Sequence, residues 1–168
     1  MGFVAFNAEE DGLLGSEDFV AQHLSALPCR VSLAHVLEMV GYRKSGWQEL
    51  PIPSTKRSKR RADFIGLLAK ERSNEAIDRV VSSRAAPALK VLGAKTWGPL
   101  HWVAPDITRS DHFSFWKAGV PAVLWTDTGN FRNPNYHQLT DTPETLDYRF
   151  MSAVTALLCD AVGLHSPP

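Results

Sequence analysis

The first forty residues constrain the fold more than any other part of the chain. Gly2 to Ala8 is a short apolar run bounded by acids and glycine, the pattern of a strand buried on both faces. After the turn at Asp11-Gly12, a helix is expected from Ser16 to about Leu27. Ser16 would cap it, Glu17 and Asp18 would sit in its first turn, and Pro28 would close it. Arg30 to Met39, rich in Val and Leu, reads as a second strand. Strand, helix and strand in so short a span form a βαβ unit, which requires parallel pairing and an α/β fold.

Further elements continue that pattern. Asp63 to Ala69 reads as a strand, and Ser73 to Ala88 as a helix capped by Ser73 or Asn74. Val120 to Thr126 reads as a buried strand, and Thr145 to Val162 as a closing amphipathic helix. Gly46 to Ala62 reads as a loop punctuated by Pro51 and Pro53. Its basic run Lys56, Arg57, Lys59, Arg60 and Arg61 lacks interleaved aromatics, so a solvated loop is expected rather than a nucleic-acid patch. The length suits one domain, expected over residues 1–164, with 165–168 as a frayed tail.

Eighteen Lys plus Arg balance eighteen Asp plus Glu, so no net field steers the chain toward nucleic acid or anionic lipid. No stretch reaches the ~18 apolar residues of a membrane span. The opening MGFVAFNAEE lacks the basic region of a signal peptide. Cys29 and Cys159 are expected to be small buried apolar residues rather than a disulfide framework. No membrane and no nucleic-acid partner is expected.

Four local features could carry chemistry. Glu9 and Glu10 are adjacent carboxylates at the expected carboxyl end of a parallel strand, where open α/β sheets place their sites. Neighbouring strand residues point in opposite directions, so the two acids would take different tasks; a solvated acidic loop is the plainer alternative. Glu38 is a lone acid at an apolar strand end, costly there without a metal or cationic partner. Asp111 and His112 precede a strand beside Phe113, Phe115 and Trp116, where a satisfied structural histidine is the alternative. Tyr136 and His137 precede Asp141, which suits either orienting an imidazole or, with Thr142 and Glu144, capping the last helix.

Together these segments resemble the zinc aminopeptidase superfamily of leucyl aminopeptidases, aminopeptidase Y and glutamate carboxypeptidase. VAFNAEEDGLLGS is similar to the strand bearing that family's catalytic Glu pair, and LEMVGY to the strand bearing the next metal-binding acid, often Asp there and Glu38 here. SDHFSFWKAGVPAVLWTDT and RNPNYHQLTDTPETLDY are similar to the segments before and around the final ligand, in family order. The resemblance implies a three-layer α/β fold with a mostly parallel mixed sheet. It implies Glu9 as general base, Glu10 and His137 on one zinc, Glu38 on a second, and Tyr136 polarising the carbonyl. Asp111, His112 and Asp141 would stand behind the ligands and orient them, or line the pocket wall. The substrate implied is a peptide or amino-acid amide.

Family members bring a His-x-Asp motif and a bridging Asp from an upstream segment, and no His-x-Asp occurs in this sequence. The family site holds two zinc ions, and this chain alone is expected to hold one or none. A fold truncated at its amino terminus is expected, with self-association as a homo-oligomer. The alternatives are a catalytically inactive remnant or interaction domain of the same fold, and an acyl transferase resembling glutaminyl cyclase.

Overall fold

The computed structural model describes residues 1–49, 59–98 and 105–164. A mixed sheet of four strands is flanked by helices. Its order is β1 (Ala34–Leu37), β6 (Ala122–Thr126), β4 (Phe64–Lys70), β5 (Lys90–Thr96), with β2 (Trp47–Glu49) and β3 (Lys59–Arg61) forming a separate antiparallel pair. β1 runs parallel to β6 with His35 opposite Val123, and β4 runs parallel to β5 with Leu67 opposite Gly93. The central pair β4 and β6 is antiparallel, with Leu68 opposite Leu124.

Alternation along these strands divides the sheet into two faces. Ile65, Leu67, Ala69, Val123 and Trp125 bury against Ala76, Ile77 and Val80 of α2 (Asn74–Ser82) and Phe150, Val154 and Leu157 of α4 (Tyr148–Ala161). At the β1–β6 end, α3 (His112–Lys117) packs against β6 and β1, and α1 (Leu14–Asp18) packs against α3. Gly66, Leu68, Leu92, Ala94, Leu124 and Thr126, on the face away from α2 and α4, line a cavity of about 570 Å³. No helix among the described residues is long and apolar enough to cross a membrane.

Several expectations require correction. Residues 2–8 form no strand, because none of the sheet's four strands runs beside them. Instead Phe6 packs on Phe19 and Phe115 at ring separations of 5.5 and 6.1 Å, while Phe3 is 83% exposed. The βαβ unit of this sheet is therefore β4–α2–β5. The first helix starts on Leu13 (φ 65°) without a side-chain cap. Ser16 lies inside it, donating to Leu13 O and sharing a hydrogen bond with Ser114. Helical backbone continues past α1 as Phe19–His23 and Leu24–Ala26 in π and 3-10 form.

The expected loop over 46–62 contains β2 and β3, while Pro51, Pro53, Lys56 and Arg57 lie outside the described residues, as does the 165–168 tail. Helix α2 ends at Ser82 because Ser83 turns extended and its hydroxyl bonds Asp160 and the Ala85 N–H. The last helix is capped by Asp147, whose carboxylate accepts the Phe150 N–H at 2.9 Å, rather than by Asp141, Thr142 or Glu144. Cys29 is exposed and Cys159 half-buried, and both are free.

Candidate active site

Three chain segments converge on one end of the cavity, and each makes a left-handed bend at or beside a candidate side chain. Ala8 (φ 51°) precedes Glu9, Met39 (φ 50°) follows Glu38, and His137 itself has φ 57°. Such backbone costs roughly 1–2 kcal/mol for a residue with a Cβ, so the surrounding structure must hold it. The first bend is closed by N–H groups of Gly12 and Leu13 donating to Glu9 O, and of Leu14 and Gly15 donating to Ala8 O and Asn7 O. Gly15 permits that closeness, since a Cβ there would stand 2.3 Å from Asn7 O. The second is pinned where Glu38 N donates to Trp125 O at 3.0 Å.

The side chains then meet across the fold. His137 Nε2 lies 2.9 Å from Glu10 Oε1 in an exposed pair, and the Tyr136 ring stacks on the His137 ring at 3.9 Å. Glu9, Glu10, Glu38, Tyr136, Ser110 and Arg109 all line the cavity. Burial pushes the Glu38 carboxyl up to about 7, aided by the charges of Glu9, Asp111 and Glu10 and opposed by a long hydrogen bond from Ser110 at 3.5 Å. Burial also raises Glu9, with Glu10 and Asp111 acting in the same direction and Arg109 and His137 against it. A carboxyl whose pKa is raised by burial and neighbouring acids is a stronger proton acceptor when ionised.

The supporting residues divide. Asp111 is buried at the start of α3, its Oδ1 without a hydrogen-bond partner among the described residues, and its charge reaches Glu9 and Glu38. His112 turns away from the cavity: Nε2–H donates to Ile107 O at 2.8 Å and Trp116 meets the ring edge-on. Burial lowers His112 to about 4, so it stays neutral, as a structural histidine does. Asp141 is exposed and accepts from Asn133 Nδ2 at 3.3 Å.

Sequence reasoning missed Arg109. Its guanidinium donates to Asp106 at 3.2 Å and to the Tyr136 hydroxyl at 3.3 Å, bridging the cavity rim to the residue before His137. Burial and the charge of Glu10 raise the Tyr136 phenol, which Arg109 opposes. An arginine directly before the Ser-Asp-His triplet was the available signal.

An imidazole nitrogen and a carboxylate oxygen at hydrogen-bond distance are donors that zinc accepts. Glu10 and His137 are two side chains of that donor type, against the three protein ligands usual at catalytic zinc, and among the described residues no group of three His, Cys, Asp or Glu forms a metal cage. The donors fit zinc in kind and fall short in number.

The chain matches the model of Peptidase family M28 over residues 1–162. It is 33% identical over 156 residues to the uncharacterised protein YfbL of Escherichia coli (strain K12), covering 90% of this chain and 47% of that protein. Among solved structures it resembles the LapA aminopeptidase of Legionella pneumophila, with TM-score 0.62 and 19% identity over 95% of this chain and 37% of that one. It also resembles an aminopeptidase from Aneurinibacillus sp. strain AM-1, with TM-score 0.60 and 22% identity over 97% and 32% of the two chains. BSAP, a zinc aminopeptidase from Bacillus subtilis, gives TM-score 0.56 and 22% identity over 94% and 34%. At these identities the structural likenesses establish the fold. The chain spans about half the length of the curated relative it matches. With the family model covering nearly its whole length, the chain belongs to peptidase family M28.

Proposed function

We propose that the chain carries the carboxyl-terminal part of an aminopeptidase-type metallopeptidase site, hydrolysing the amino-terminal bond of a peptide or amino-acid amide. The observation that carries this reading is the Glu10–His137 contact at 2.9 Å, with Glu9 beside it and Glu38 in the same cavity. Glu10 and His137 would hold one zinc ion, and Glu38 would hold a second. When bound, zinc supplies Lewis acidity, lowering the pKa of water toward ~7 and polarising a carbonyl.

The remaining work falls to this chain's own groups. Glu9, its carboxyl raised by burial, accepts a proton from the attacking water and delivers it to the departing amine. The Tyr136 hydroxyl, held by Arg109 at 3.3 Å, donates toward the carbonyl oxygen as negative charge develops on it. The carboxylate-rich end attracts the substrate's free ammonium group, and the apolar floor receives its side chain.

The test is zinc per chain by elemental mass spectrometry after loading and dialysis, followed by hydrolysis of leucine p-nitroanilide. Uptake of one ion per chain with amide hydrolysis is expected. Glu9→Gln should then retain zinc and lose about 10²–10⁴-fold in kcat. No zinc uptake would mean the inactive-remnant reading holds. Cyclisation of an amino-terminal glutamine peptide without amide hydrolysis would favour the acyl transferase.

A further inference from the structure

Asp127 closes the junction between two of the three segments that build the site. It follows β6 directly and is 1% exposed. Its backbone N–H donates to Met39 O at 2.6 Å. Its Oδ2 accepts the Tyr42 N–H at 2.6 Å and its Oδ1 accepts the Gly129 N–H at 2.9 Å. Met39 and Tyr42 belong to the segment that follows Glu38, and Gly129 to the loop that runs on to His137. The two segments also touch directly, since a Cβ at Gly129 would stand 3.1 Å from Met39 Sδ.

Arg132, also 1% exposed, extends the junction. It donates to Tyr42 O at 3.3 Å, Phe64 O at 2.8 Å and Gln48 Oε1 at 2.6 Å, with its guanidinium over the Phe64 ring. Neither Asp127 nor Arg132 lines the cavity, so neither is placed to touch substrate. Burial pushes the Asp127 carboxyl up to about 6 against the hydrogen bonds from Tyr42 and Gly129. A costly buried acid is retained where two acceptor oxygens are needed at once. Asparagine would turn an NH₂ group toward one of the two N–H donors.

We propose that Asp127 is a positioning residue that fixes the Glu38 segment against the His137 loop, setting the spacing at which the two side chains are offered to metal. This rests on the reading of Glu38 and His137 as metal-holding residues. Neither the sequence motifs nor the cavity wall singles out Asp127, and its effect passes wholly through backbone groups.

The test compares zinc affinity by isothermal titration for the unmodified chain, Asp127→Asn and Asp127→Glu, with thermal unfolding recorded for each. Ser83→Ala serves as a control that loses a remote hydrogen bond to Asp160. Partners that orient metal ligands typically change affinity 10–100-fold, so binding at least ten times weaker is expected in folded Asp127→Asn, with affinity unchanged in the control. Equal affinity in the Asp127 variants and the unmodified chain overturns the inference while leaving the peptidase reading intact. Absence of zinc binding by the unmodified chain sinks that reading, and this inference with it. Should neither Asp127 variant fold, hydrogen exchange on the unmodified chain decides. By reciprocity, zinc must raise protection at the Tyr42 and Gly129 amides together, and no gain overturns the inference.

Discussion

Trp125 donates its indole N–H to His35 Nδ1 at 3.0 Å, so that nitrogen must stay unprotonated for the contact to survive. Burial, and secondarily the Arg79 charge, depress His35 to about 4 from 6.5. A folded-state pKa below the unfolded value gives stability that is complete above pH 6.5 and lost as pH falls through 4. The contribution is about 3 kcal/mol. In His35→Gln, denaturant-unfolding curves should lose part of their acid dependence between pH 7.5 and 4.5. Parallel pH dependence in variant and parent would show that His35 is not the titrating group. At this scale legibility followed chemistry. Glu10 and His137 were readable because their neighbours form motifs, and they do meet at 2.9 Å. Asp127 and Arg132 stand inside the quoted segments but carried no assigned role, because an acid and an arginine among Thr, Gly and Asn look like ordinary turn residues until burial is known.

Strands and helices were readable where apolar runs meet a partner and unreadable where a glycine or a missing neighbour intervenes. Phe64–Lys70 and Ala122–Thr126 were expected nearly to the residue, since both lie at the middle of the sheet and bury continuously. Gly2–Ala8 is also largely apolar and has no ladder, which shows that apolarity alone does not make a strand. β5 escaped notice because Gly93 interrupts its apolar pattern and lysines lie on either side of it. That glycine has a packing reason: an added Cβ would come within 2.3 Å of Ile77 Cγ2, so its absence lets α2 settle on the sheet. Gly93→Ala should therefore destabilise the chain by roughly 1–3 kcal/mol through overpacking, measured by urea unfolding. Unchanged stability would mean that Ile77 rotates away freely.

The α/β class and a mixed sheet were legible across the whole molecule, whereas strand order was not, because pairing between distant strands leaves no local trace. Among the described residues no strand pairs with the outer edge of β1 or β5, and Phe3, Val4 and Leu37 are exposed near the amino terminus and β1. We predict self-association through these surfaces. A concentration-independent monomer in light scattering would refute it. The order β1-β6-β4-β5 also has a temporal consequence. β1 finds its partner only when residues 122–126 arrive, and Glu10 meets an imidazole 127 residues further on. Loop closure over such spans is slow, so the site forms among the last events of folding, after the local β4–α2–β5 unit. During synthesis β1 and Glu10 must wait for residues 122–137 before the contacts that order them can form. Interruption before residue 122 would leave β1 without its ladder and Glu10 without its imidazole in a single event.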